Sequence, residues 1–143
     1  MKKYFVFMAI FCLCLIFAKS QDITVAKDGS GDYTTVQAAF NAVPSNSSSR
    51  TVIYIKNGTY YEVLTLASNK TNVTIIGESV NGVILTYNNY ASKVNPATGS
   101  TYGTSGSSSC YINGAGFYAW NITFQNSSGP VGQALAIYIT NRR

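Results

Sequence analysis

From Arg50 onward this sequence is a succession of short β-branched and aromatic runs, each closed by Asn, Gly or Ser. That pattern restricts the chain to a few all-β architectures. The runs fall at 51–56, 73–77, 83–87, 110–112, 116–124 and 134–140, with turn signals at 56–58, 77–79, 81–82 and 126–130. A single amphipathic helix precedes them. The spacing predicts it over 34–43, where Val36, Ala39, Phe40 and Val43 share one face. Thr34 and Gln37 have the spacing of a capping box, and Pro44 ends the segment. The apolar centres at Ile53, Ile75 and Ile122 stand 22 and 47 residues apart, close to multiples of one coil length. Short apolar runs without clean alternation, led by one helix, favour a parallel β-solenoid whose helix caps its first coil. An antiparallel sandwich stays open as the alternative. One polar connection, 88–109, is long for a compact domain and reads as functional.

The amino terminus carries a different signal. Lys2 and Lys3 precede fifteen apolar residues ending at Ala18, and Ala18-Lys19-Ser20 has small residues where a signal peptidase reads them. Fifteen is short of the roughly twenty residues a membrane helix needs. The expectation is a signal peptide over 1–20 and one domain over 21–143, exported from the cell. The formal charge of +5 falls once Lys2, Lys3 and Lys19 leave, so neither nucleic acid nor an anionic membrane is a natural partner. Cys110 remains as the single cysteine of 21–143, in a β-like run where a small core residue fits better than a reactive thiol. Sequons stand at Asn46, Asn57, Asn69, Asn72, Asn121 and Asn126, in keeping with an Asn/Ser/Thr-rich chain.

The chemistry is bounded by what is missing. With no histidine, Ser-His-Asp and Cys-His catalysis are absent, and the many serines read as turn formers. The five carboxylates are Asp22, Asp28, Asp32, Glu62 and Glu78, and no catalytic pair is visible among them. The Asp28–Asp32 turn lacks the later bidentate carboxylate of a calcium loop, so no metal is expected.

Four motifs stand in an order that resembles the pectin methylesterases. They are DGSGDYTTVQAA over 28–39, GTYYE over 58–62, WNITFQN over 120–126 and QALAI over 133–137. Gly58, Tyr60 and Glu62 match the family's GxYxE, and QALAI matches its QAVAL. The resemblance runs along nearly all of 21–143. It implies a right-handed parallel β-helix and an extracellular esterase that hydrolyses the methyl esters of homogalacturonan to methanol and free carboxylates. It implies no cofactor and a monomer at full length. In the family one aspartate attacks the ester, a second serves as acid and base, glutamines stabilise the oxyanion and an arginine orients the nucleophile. By that resemblance Gln133 is an oxyanion donor and substrate contact, and Thr104 contacts substrate. Glu62 is read as a structural hydrogen-bonding or ion-pairing group, and Tyr87, Tyr90, Tyr102 and Tyr111 as candidates for stacking on sugars.

The sequence also departs from the family. The motifs holding both catalytic aspartates, the second glutamine and the arginine lie C-terminal to QAVAL, and neither Arg142 nor Arg143 matches the last of these. The expectation is therefore a solenoid truncated at its C-terminal end and inactive by itself. Two rivals are a non-catalytic solenoid that binds glycans and a polysaccharide lyase, the latter poorly served by so few carboxylates.

Overall fold

The computed structural model describes residues 21–140. The signal-peptide reading of 1–20 and the terminal Arg142 and Arg143 lie outside the described residues. The chain winds through three faces in turn. Its first coil holds β1 (Gln21–Val25) and α1 (Val36–Ala42), and its second holds β2 (Thr51–Ile55), β3 (Gly58–Tyr61) and β4 (Leu64–Leu66). The third coil contains β5 (Val73–Gly77), β6 (Val83–Tyr87), the short α2 (Gly103–Gly106) and β7 (Cys110–Ile112). The fourth contains β8 (Tyr118–Trp120), β9 (Thr123–Asn126) and β10 (Ile137–Ile139).

Strands of successive coils stack side by side. The first sheet is ordered β1-β2-β5-β8, the second β3-β6-β9 and the third β10-β7-β4. Every pairing between these strands is parallel. This is a three-faced parallel β-helix, so the solenoid is borne out and the sandwich is not.

Register explains the core. Ile23, Ile53, Ile75 and Ala119 are aligned across the first sheet, Tyr60, Leu85 and Phe124 across the second, and Leu64, Cys110 and Ile137 across the third. The first three isoleucines and both leucines are fully or almost fully buried, as is Cys110. Each coil thus places one apolar side chain above another, and a fully buried side chain of this size contributes about 1.5–3 kcal/mol.

The coil length is not constant, and here the sequence reading needs correction. Ile75 aligns with Ala119, not with Ile122. The predicted single strand over 116–124 is broken at Asn121, whose φ of 53° turns the chain from the first sheet into the second. Gly77 explains the fit at this corner: a Cβ there would lie 2.1 Å from the Asn121 carbonyl oxygen. Beyond the turn Ile122 packs, partly buried, against the core from the corner. The segment 134–140 forms a shorter strand than predicted, β3 lies within the 58–62 motif, and β4 lies just beyond it where no strand was predicted.

The helix also starts differently. Its N-cap is Thr35, whose hydroxyl accepts from Ala38 N, so Thr34 and Gln37 form no capping box. Glu62 completes the cap from the next coil. Its two carboxylate oxygens accept from Val36 N and Gln37 N, each at 3.1 Å. The first three helical N–H groups, which lack partners within any helix, are all satisfied. Gln37 is thereby free for β4: its Oε1 accepts from Thr65 N at 2.7 Å and its Nε2 donates to Thr65 O at 3.1 Å. The helix occupies the place that a third-sheet strand would take in the first coil, and buries Val36, Ala39 and Phe40 beneath it.

Candidate active-site corner

Two long connections meet where the second sheet turns into the third: residues 88–109, between β6 and β7, and residues 127–136, between β9 and β10. Neither is loose. The 88–109 loop is pinned to itself by an isolated bridge between Val94 and Thr101 and by bonds from Tyr102 N to Lys93 O and Gly103 N to Ala91 O. Lys93 reaches back over the Tyr87 ring at 5.7 Å, and its ammonium donates to the side-chain oxygens of Asn88 and Asn89. Tyr87 in turn packs against Tyr61, with ring centroids 4.8 Å apart.

The run Ser107-Ser108-Ser109 passes through this corner fully buried. Each hydroxyl is satisfied: Ser107 donates to Thr104 O, Ser108 to Cys110 O and Ser109 to Tyr87 O. These serines are structural, as the sequence suggested. Bonds from Ser109 N to Leu135 O and Cys110 N to Ala136 O extend the β7–β10 ladder backward from β10. Asn126 ties both connections together, because its amide nitrogen donates to Asn89 O, Ser107 O and Leu135 O. Sequence reasoning passed over this residue; its motif was noticed, but nothing in the motif marks one amide as a hub.

Gln133 and Thr104 come together here. The Thr104 hydroxyl donates to Gln133 Oε1 at 2.7 Å, across 29 residues of sequence. The Gln133 main-chain carbonyl accepts from Ala91 N at 2.8 Å. Both ends of the residue are thus fixed, and the side chain is exposed, with no protein partner for Nε2 among the described residues. An amide held by its oxygen presents its N–H₂ outward, the geometry a preorganised donor needs.

The tyrosine candidates divide. Tyr111 points outward from β7, where its hydroxyl accepts from Ser108 N and its ring meets Tyr138 of β10 edge-on at 6.4 Å. Burial raises its pKa above the ordinary phenol value. Tyr87 is committed to Tyr61 and Lys93, whereas Tyr90 and Tyr102 are half-buried in the loop. Cys110 is buried, and burial pushes its thiol up to about 12, so it is no nucleophile.

The described carboxylates are engaged elsewhere. Asp28 accepts from the Ser30 hydroxyl and N–H, bonds that lower its pKa, and Asp32 accepts from Thr24 N. Glu62 caps α1, and Glu78 accepts from Asn57 N beside Lys56. Asp22 lies on β1, in the first coil. Among the described residues no three metal-ligating side chains cluster, and no helix is long and apolar enough to cross a membrane. A groove of about 330 Å³ lies on the first sheet, lined by Tyr54, Lys56, Ile76 and Glu78, away from this corner.

The sequence profile described as Pectinesterase matches residues 22–142. The chain belongs to the pectinesterase family. Among similar proteins, Probable pectinesterase 30 of Arabidopsis thaliana is 41% identical over 124 residues, which are 86% of this chain and 24% of that protein. Pectinesterase 31 of the same plant is 39% identical, with 88% of this chain matching 41% of it. The solved pectin methylesterase from carrot superposes with a TM-score of 0.71 at 40% identity, over 82% of this chain and 35% of that one. A pectin methylesterase solved with a bound hexasaccharide gives 0.72 at 31% identity, over 85% and 40%. The chain therefore spans about a quarter to two-fifths of the length of these relatives.

Proposed function

We propose that this pectinesterase-family chain supplies the oxyanion-donor corner of a site that hydrolyses methyl esters of homogalacturonan outside the cell. The carrying observation is the Thr104–Gln133 bond, which fixes the amide oxygen and leaves Nε2 to donate. In ester hydrolysis negative charge develops on the carbonyl oxygen as the nucleophile adds. A donor already aimed at that point stabilises the transition state without reorganising. Thr104 is then a positioning residue that also borders the substrate. The third sheet offers Tyr111 and Tyr138 as an aromatic wall for a polymer lying across its outer face.

The nucleophilic and acid–base aspartates implied by the resemblance are not among the carboxylates of this sequence, each of which has another place in the fold. Residues 21–143 alone accordingly release no methanol from methylesterified pectin. The reading is tested by grafting residues 22–142 in place of the matched segment of the carrot enzyme. A folded chimera that releases methanol supports it. A folded chimera that binds pectin without turnover overturns it in favour of glycan binding alone.

A further inference from the structure

The six sequons are alike in sequence and unlike in structure. Asn46 and Asn121 are exposed, sit at tight turns with φ of 53°, and have no side-chain partner among the described residues. Asn72 is half-buried, and its amide donates to Ser47 O at 2.9 Å. Asn126 is half-buried, and its amide donates to three main-chain carbonyls. Asn57 and Asn69 are exposed, each bonded to one serine hydroxyl, and belong to neither class.

We infer that Asn46 and Asn121 carry N-linked glycans in the folded protein and that Asn72 and Asn126 carry none. The step replaces one Nδ2–H by a bond to the anomeric carbon of a sugar. The oligosaccharide comes from a lipid-linked pyrophosphate donor, the lipid pyrophosphate departs as the leaving group, and the amide proton passes to the transferase's base; nothing is oxidised or reduced. The transferase reads the Asn-x-Ser/Thr acceptor on the emerging chain, so all six sequons are presented to it. Folding then sorts them. A sugar on Asn126 leaves its nitrogen one hydrogen for the three carbonyls it now serves, and stands in the space that joins the 88–109 and 127–136 connections. Chains modified there do not complete the corner. A sugar on Asn46 or Asn121 displaces nothing.

The sorting has a spatial consequence. Asn46 lies between α1 and β2, where the third face passes into the first, and Asn121 lies where the first sheet passes into the second. Both bordering corners of the first sheet bear glycan, and the corner holding Thr104 and Gln133 stays bare for a polysaccharide.

This rests on export through a eukaryotic secretory pathway, so the test separates the two. The 143-residue chain is expressed in plant cells with its own first twenty residues and, in a second arm, behind a host leader. Secreted protein is deglycosylated enzymatically in H₂¹⁸O and its peptides mapped by mass spectrometry. The expected result is ¹⁸O-labelled aspartate at positions 46 and 121, with Asn72 and Asn126 unlabelled. Label at either of the latter, or none at either of the former, overturns the inference. Asn121→Gln removes one glycan's mobility shift and is secreted like wild type, whereas Asn126→Gln keeps the shift and is secreted less. Retention in the first arm alone counts against export by the native leader, while the second arm still reads the sites.

Discussion

Gln37 and Thr65 are joined by two hydrogen bonds in opposite senses, the carboxamide accepting from the Thr65 N–H at 2.7 Å and donating to its carbonyl at 3.1 Å. A side-chain amide thereby substitutes for the peptide group of a missing neighbouring strand. The β4 edge, which would otherwise offer unpaired main-chain groups, is closed by the helix that covers it. In the carrot chimera, Gln37→Ala is expected to lower stability by about 1–3 kcal/mol, read as a drop in urea midpoint. An unchanged midpoint would show that the helix docks through its apolar face alone.

Glu62 holds the first turn of the same helix through its main-chain N–H groups. Glu62→Ala strands the Val36 and Gln37 N–H groups, and a loss of about 1–2 kcal/mol is expected. Glu62→Gln, which keeps one acceptor, should recover part of that. Methanol release by the folded chimera stays at the parent rate in both variants. A large fall in kcat without a fall in stability would move Glu62 from the scaffold to the chemistry.

Cys110 gives the fold a specific alkaline limit. Its thiol is held at about 12 by burial, while in an unfolded chain a thiol ionises near about 8.5. Above the lower value the unfolded chain releases a proton that the folded chain retains. This contribution is therefore fully present below pH ~8.5 and is lost as pH rises toward 12, at a limiting slope of about 1.4 kcal/mol per pH unit. Stability measured against pH should fall over that window, and fall less steeply in Cys110→Ala, where the Tyr60 and Tyr111 phenols, also raised by burial, still contribute. Native protein should also resist an aromatic disulfide reagent at pH 8 until denatured, and rapid labelling of folded chain would contradict the assignment.

The aligned isoleucines predict a contrast between inside and outside. Ile75→Ala empties a fully buried position between Ile53 and Ala119 and is expected to cost about 2–5 kcal/mol. Trp120, 70% exposed on the same sheet, should cost under about 0.5 kcal/mol when replaced by alanine. Equal losses on urea unfolding would mean that the two faces of the sheet are misassigned.

Much of this was legible in the chain because the solenoid repeats its physics. Val73–Gly77 and Val83–Tyr87 are β-branched runs between turn residues, and both strands fall where their composition places them. The errors are local too. The 116–124 run has the composition of one strand, but nothing in it announces that Asn121 adopts a positive φ. The helix cap moved by one residue because the partner that decides it, Glu62, is supplied by the next coil. The meeting of Thr104 and Gln133 was legible only as two motif positions in one resemblance. Their contact depends on Ala91, Gly103 and Asn126 folding two irregular connections against each other, and no periodicity encodes that.

The central claim is that Gln133 donates to the oxyanion and that Thr104 aims it. Steady-state methanol release by the carrot chimera, with Gln133→Ala and Thr104→Val beside the parent, tests this most directly. The account predicts a kcat loss of about 10²–10³-fold for Gln133→Ala, with KM little changed, and a smaller loss of the same kind for Thr104→Val. A folded Gln133→Ala chimera that keeps the parent kcat, or loses only KM, would contradict it.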